Sequence, residues 1–161
     1  MNSKAIVILL IEDNDDHAEL VSAALKVNNL VGEVVRFADA ESGLEYLFGE
    51  EQSTVRHGRP MPDLILLDLM LPGMSGMELL KIVKNRTETK GTPVVVLTTS
   101  AHDDRISKAY EYGANSYIAK PLGHQDFVIK LAELNMFWSV TAELPHAKNR
   151  DQTPTTRERR F

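Results

Sequence analysis

Five side chains able to do acid, metal or phosphate chemistry stand at the ends of short apolar runs. Glu12 and Asp13 follow AIVILLI at 5–11, and Asp68 follows LILL at 64–67. Thr98 closes PVVVLT at 93–98, and Lys120 follows SYIA at 116–119. Three carboxylates held close together cannot all stay ionised without compensation. Lys120 is one compensator, and a bound divalent cation is the other. An all-oxygen ligand set favours Mg²⁺, which accepts a few protein ligands and keeps several waters. A site short of ligands in this way suits a phosphoryl group. A carboxylate can accept that group as an acyl phosphate. Mg²⁺ and Lys120 would then offset the charge on the equatorial oxygens, and Thr98 would donate a hydroxyl to one of them.

This chemistry requires elements that bring five separate positions together. The runs 5–11, 33–38, 63–68, 93–98 and 116–119 read as strands, with the apolar ones buried on both faces. Between them lie helical periods. Asn14 or Asp15 can cap a helix over about 16–28 in which Ala18, Val21, Ala24 and Leu25 share a face. Asp39 caps a helix through Leu44, Leu47 and Phe48. Ser75 and Glu78 form a capping box for a helix that buries Met77, Leu80 and Val83. Ser100 and Asp103 suit another over about 103–112, closed by Gly113. A last helix over about 125–140 carries Phe127, Leu131, Leu134 and Trp138 on one stripe. Residues 49–62 read as a long loop and 85–92 as a polar one.

Strand and helix alternate five times, which predicts an α/β fold: a doubly wound, five-stranded parallel sheet with helices on both faces. In such a sheet all carboxyl ends lie on one edge. With strand order 2-1-3-4-5 the switch point falls between the first and third strands, beside Asp68. The expected domain spans residues 1–145, and the polar, basic stretch 146–161 reads as a disordered tail.

Composition excludes several classes. The chain has 161 residues, 43% hydrophobic and 25% charged, as in a single globular domain. Its longest apolar runs are strand-sized, so no membrane span and no secretory signal is expected, and a cytoplasmic location follows. It has no cysteine, hence no disulfide and no thiolate metal site. A net charge of −5 argues against nucleic-acid binding. The histidines at 17, 57, 102, 124 and 146 form no i,i+4 pair, which favours surface or capping roles.

Taken singly, each motif has a plainer explanation. An Asp after a strand is usually a turn or cap residue. An acidic run suits the start of a helix. The joint occurrence at four strand ends, in order, is what points to a site.

These residues resemble the receiver domain of two-component response regulators, a flavodoxin-like fold. The match is carried by Glu12-Asp13, Asp68 in LDLMLPGMSG, Thr98, Tyr117 and Lys120-Pro121, and it covers roughly residues 4–140. The resemblance implies that Asp68 accepts a phosphoryl group from the phospho-His of a histidine kinase. Asp13 would bind Mg²⁺ directly, Glu12 through water, and the Met70 backbone carbonyl would be a further ligand. Lys120 would pair with the phosphoryl group. Thr98 would close on it and Tyr117 would move inward, switching the face made by the fourth helix, fifth strand and fifth helix. The chain would be a phosphoacceptor signalling protein rather than a turnover enzyme, catalysing only its own phosphorylation and a slow autodephosphorylation.

A narrower resemblance is to the single-domain regulators that pair with cyanobacterial phytochrome kinases. It rests on the long loop before Pro62-Asp63, on Leu97-Thr98-Thr99-Ser100, and on Phe137-Trp138 followed by Leu144-Pro145. It implies a phytochrome kinase as partner and a homodimer through the same face, with Phe127, Phe137 and Trp138 as its apolar residues. Core packing is the competing role for these, and for Phe127 the two are evenly weighed. That subgroup often has Asn two residues after the acceptor, where this chain has Met70. A thioether cannot orient an attacking water as an amide can, so a long-lived acyl phosphate is expected.

Two other classes compete. A phosphohydrolase of the haloacid-dehalogenase type needs a second Asp where Met70 stands, and no cap-sized insertion is evident. A scaffolding pseudo-receiver would require a damaged acidic pocket. A DNA-binding output module would not fit in the roughly twenty residues after the last helix.

Overall fold

The computed structural model describes residues 5–26, 31–49, 58, 60–99, 103–120, 129, 130 and 133. Five strands, β1 (Ile6–Ile11), β2 (Val31–Phe37), β3 (Leu64–Asp68), β4 (Val94–Thr98) and β5 (Ser116–Ala119), form one sheet in the order 2-1-3-4-5. Every neighbouring pair is parallel. Among the described residues four helices intervene: α1 (Asp15–Lys26), α2 (Ala40–Phe48), α3 (Gly76–Asn85) and α4 (Asp103–Glu111).

Strand pleat divides the core in two. Ile8, Leu10, Leu64, Leu66, Val95 and Leu97 point to one face and pack with Ala18, Val21, Ala24 and Leu25 of α1. Their alternates Leu9, Ile11, Ile65, Leu67, Val94 and Val96 pack with Tyr46 and Leu47 of α2 and Leu79, Leu80 and Val83 of α3. Burial on both faces is why β1, β3 and β4 are continuous apolar runs rather than alternating ones.

The helix starts follow local chemistry. Asn14 Oδ1 accepts from the His17 amide at 3.0 Å, which makes Asn14 the cap of α1. Asp39 caps α2 by accepting from the Ser42 amide at 2.7 Å. Ser75 and Glu78 form the reciprocal capping box at the start of α3. Because α3 begins at Gly76, its sheet-facing phase runs through 76, 79, 80 and 83. Leu79 is therefore buried, and Met77 is only half-buried. Gly113 takes a positive φ of 98° after α4, a backbone state that glycine adopts without cost.

The last helix called over 125–140 lies outside the described residues, except that Ile129, Lys130 and Glu133 are helical. The cap at Ser100, the side chains of Phe127, Phe137 and Trp138, the domain limit at 145 and the tail 146–161 also lie outside them. No helix among the described residues is long and apolar enough to cross a membrane.

Gly76 seats α3 against the end of β3. Its amide donates to the Leu69 carbonyl at 3.2 Å. A Cβ there would run into the Asp68 carbonyl oxygen and stand 2.7 Å from Leu69 Cα. Both obstacles are backbone, so neither can swing aside. Gly76→Ala is expected to destabilise the protein by about 1–3 kcal/mol, read as a lower urea midpoint with an unchanged slope. An unchanged midpoint would show that α3 can pull back freely.

Candidate functional site

At the carboxyl edge of the sheet, β1 runs into Glu12 and Asp13, and β3 ends on Asp68. These three carboxylates each offer an oxygen within 4.8 Å of the others. Glu12 is fully buried, Asp68 is nearly so, and Asp13 is exposed. The Glu12 amide donates to the Phe37 carbonyl of β2 at 3.0 Å, so the sheet ladder fixes where the acidic pair begins.

Lys120 follows β5 and is also buried. Its amide donates to the Thr98 carbonyl. Its Nζ donates to Glu12 Oε2 and, at 3.2 Å, to Asp68 Oδ2. The fold thus carries one ammonium past β4 to meet carboxylates at the ends of β3 and β1. Asp68 Oδ1 accepts from the Met70 amide at 2.9 Å, which fixes the turn after β3. Thr98 ends β4 fully buried.

Burial pushes the Glu12 carboxyl above the ordinary carboxylate range. The hydrogen bond and charge of Lys120 and the hydrogen bond from the Asn14 amide oppose the shift, and the nearby charge of Asp68 adds to it. Three carboxylates against one ammonium leave two negative charges uncompensated, which is the charge of one divalent cation. The oxygen-only donor set and the accessible Asp13 suit a hard cation that keeps water ligands. The cluster therefore fits the divalent-cation pocket of receiver domains.

The sequence-derived set falls together. Glu12, Asp13 and Asp68 share the pocket, Lys120 bonds two of them, and Thr98 borders it through the neighbouring strand. Tyr117 does not reach in. It is 41% exposed and meets Tyr110 of α4 edge to face, with ring centroids 6.2 Å apart. Met70 is exposed as well, and its sulfur lies 2.7 Å from an Arg105 guanidinium nitrogen.

Two neighbours carry no motif in the sequence. Arg36 of β2 donates through Nε and Nη2 to the Glu12 carbonyl, at 3.0 and 2.8 Å, and pairs with Asp15 at 2.8 Å. His17, on the first turn of α1, places Nδ1 3.4 Å from Lys120 Nζ. Arg36 sits beside Leu10 in the β1–β2 register, and His17 is one helical turn past Asp13.

A parallel sheet in this order with acids and a lysine gathered at its switch point is the receiver architecture. The chain belongs to the response regulator receiver domain family, which matches residues 8–132. It is 36% identical over 141 residues to response regulator Rcp1 of Synechocystis sp., covering 88% of this chain and 94% of that one. The Mn²⁺-bound form of Rcp1 superposes with a TM-score of 0.79, covering 87% of this chain and 99% of that one. The phosphorylated cyanobacterial phytochrome response regulator RcpA is 34% identical, with a TM-score of 0.81 over 88% of this chain and 99% of that one. "Probable methanogenesis regulatory protein FilR2" of Methanothrix harundinacea is 38% identical over 132 residues, covering 82% of this chain and 83% of that one. The chain is thus a receiver-domain response regulator related to phytochrome response regulators.

Proposed function

We propose that this protein accepts a phosphoryl group from a histidine kinase onto Asp68 with Mg²⁺ bound, and switches a protein–protein surface. The observation that carries this reading is the buried Lys120 ammonium, held between Glu12 and Asp68 within the acidic cluster. An Asp68 oxygen attacks phosphorus, the P–N bond to the kinase histidine breaks, and the leaving imidazole keeps the electron pair and takes a proton. Lys120 can move its Asp68 hydrogen bond onto a phosphoryl oxygen without leaving Glu12. Asp13, Asp68 and the Met70 carbonyl would hold the cation, with Glu12 acting through water. Bound there, the cation supplies positive charge for the equatorial oxygens.

The proposed switch couples Thr98 closing on the phosphate to Tyr117 moving inward. Tyr117 must first leave Tyr110, and an edge-to-face pair of this kind is worth about 0.5–1.5 kcal/mol. The outward state is thereby favoured until Thr98 is drawn away. Tyr110 and Tyr117 also place two exposed aromatics on the α4–β5 part of the output face. A homodimer through that face, extended by Phe127, Phe137 and Trp138, fits this exposure. A phytochrome kinase as partner is supported by the similarity to RcpA and Rcp1. A cytoplasmic location accords with such a partner.

Incubation with acetyl phosphate tests the reading by intact mass. One phosphoryl addition that needs both Mg²⁺ and Asp68 is expected, with Asp68→Asn as control, and a sizing column on the same samples reads the dimer. Turnover of the donor without an adduct would point to a phosphohydrolase. No addition to folded protein would leave a scaffold.

The acyl phosphate is expected to be long-lived, because Met70 offers a thioether where an amide would orient water. Met70→Asn is expected to speed dephosphorylation by about tenfold, less than the roughly 10²–10⁴-fold of a group that transfers a proton, because the amide only orients the water. A variant that loses phosphate more slowly would contradict this.

A further inference from the structure

The environment of Lys120 assigns a role to His17. An ammonium has three donors and no acceptor. Lys120 Nζ spends its three on Glu12 Oε2, Asp68 Oδ2 at 3.2 Å and His17 Nδ1 at 3.4 Å. Since the lysine can only donate, this contact is a hydrogen bond in the tautomer whose Nδ1 is the acceptor. Glu12 Oε1 lies farther from Nδ1, at 3.7 Å, and already accepts from the Asn14 amide. The imidazole nitrogen thus stands between the lysine and the acid, nearer to the lysine.

We propose that His17 is a positioning residue for Lys120 during phosphoryl transfer. The inference rests on Lys120 being the cation that meets the phosphoryl group. When Asp68 is phosphorylated, the Lys120 N–H that now donates to Asp68 Oδ2 turns to donate to a phosphoryl oxygen, while the other two keep donating to Glu12 and His17. Two fixed acceptors aim the third donor. With Glu12 alone the ammonium can pivot about a single bond, and its remaining protons turn to water or crowd onto Asp68. Either arrangement lowers the charge offered to the transferring group. His17 is suited to this because its backbone is pinned independently: its amide donates to Asn14 Oδ1, a bond that the three substitutions at position 17 leave in place. Its side chain is 35% exposed, so its replacement should leave the fold intact.

Three variants separate acceptance from shape. His17→Asn keeps an acceptor near the Nδ1 position, His17→Phe keeps a ring without one, and His17→Ala keeps neither. The probes are Mg²⁺ with beryllofluoride, read by ¹⁹F NMR, and acetyl phosphate, read by intact mass against time. His17→Ala and His17→Phe are expected to shift the ¹⁹F resonance of the fluorine facing Lys120 and to slow phosphorylation by about tenfold, as loss of one hydrogen bond to a charged group implies. Mg²⁺ affinity should hold, and His17→Asn should restore both readouts. A wild-type spectrum and rate in His17→Phe would overturn the inference while leaving the phosphoacceptor reading standing. Failure of the wild-type chain itself to take up beryllofluoride or phosphate would overturn both.

Discussion

Lys120→Met is expected to lose about 3–5 kcal/mol of stability at neutral pH, because it leaves buried carboxylates without their shared cation. Lys120 is 6% exposed and Glu12 is fully buried, so water cannot replace the lost ammonium cheaply. The loss should depend on pH in a definite direction. Burial already holds the Glu12 carboxyl above its ordinary 4.5, and Lys120 is the chief influence pulling it back. Without the lysine it rises further. The folded state then keeps this proton to higher pH than the unfolded chain does. Where the folded state binds more protons, stability falls as pH rises. The deficit should therefore be small near pH 4.5 and grow toward neutrality, as urea denaturation across that range would show. Added Mg²⁺ should narrow it at neutral pH, since the pocket without the competing ammonium binds the cation more tightly than the wild type does, and each tenfold in Kd is about 1.4 kcal/mol at saturating ion. A variant as stable as the wild type at every pH would mean that the ammonium is not what neutralises the pocket.

Asp13→Asn is expected to weaken Mg²⁺ binding by about 100-fold or more, since even partners one shell further out commonly cost 10–100-fold. Asp13 is the exposed member of the cluster and the one best placed to meet a hydrated cation. The same change removes one of three mutually repelling carboxylates. Without Mg²⁺ the variant should therefore melt above the wild type, and with saturating Mg²⁺ the order should reverse. Calorimetric titration gives the affinity, and paired thermal melts give the crossing. Parallel shifts in both conditions would show that Asp13 acts through the fold alone.

Much of this pocket was legible because it is built on strand ends. β1, β3 and β4 are buried on both faces, so each is a bounded apolar run, and a parallel sheet must bring their carboxyl ends to one edge. Asp39, and Ser75 with Glu78, announced two helix starts because capping is local chemistry among residues three apart. Contacts between distant elements were not legible. Arg36 and Glu12, or His17 and Lys120, meet through the placement of separate elements, and no local pattern encodes that. The phase of α3 was missed for the opposite reason. Glycine has no side chain to mark a face, yet Gly76 packs so tightly on the Asp68 carbonyl that no Cβ fits there, and this selects Leu79 over Met77. The outward position of Tyr117 depends on Tyr110, one helix away, and its residue type alone says nothing of it.

Borohydride trapping tests the central claim most directly. Reduction of an aspartyl phosphate leaves homoserine at the modified position, and peptide mass mapping then names the residue. Protein treated with acetyl phosphate and Mg²⁺ is predicted to carry homoserine at position 68 and at no other acidic residue. Homoserine at position 13, or a phosphoryl group that survives reduction on a hydroxyl or imidazole side chain, would contradict the assignment of Asp68 as the phosphoacceptor.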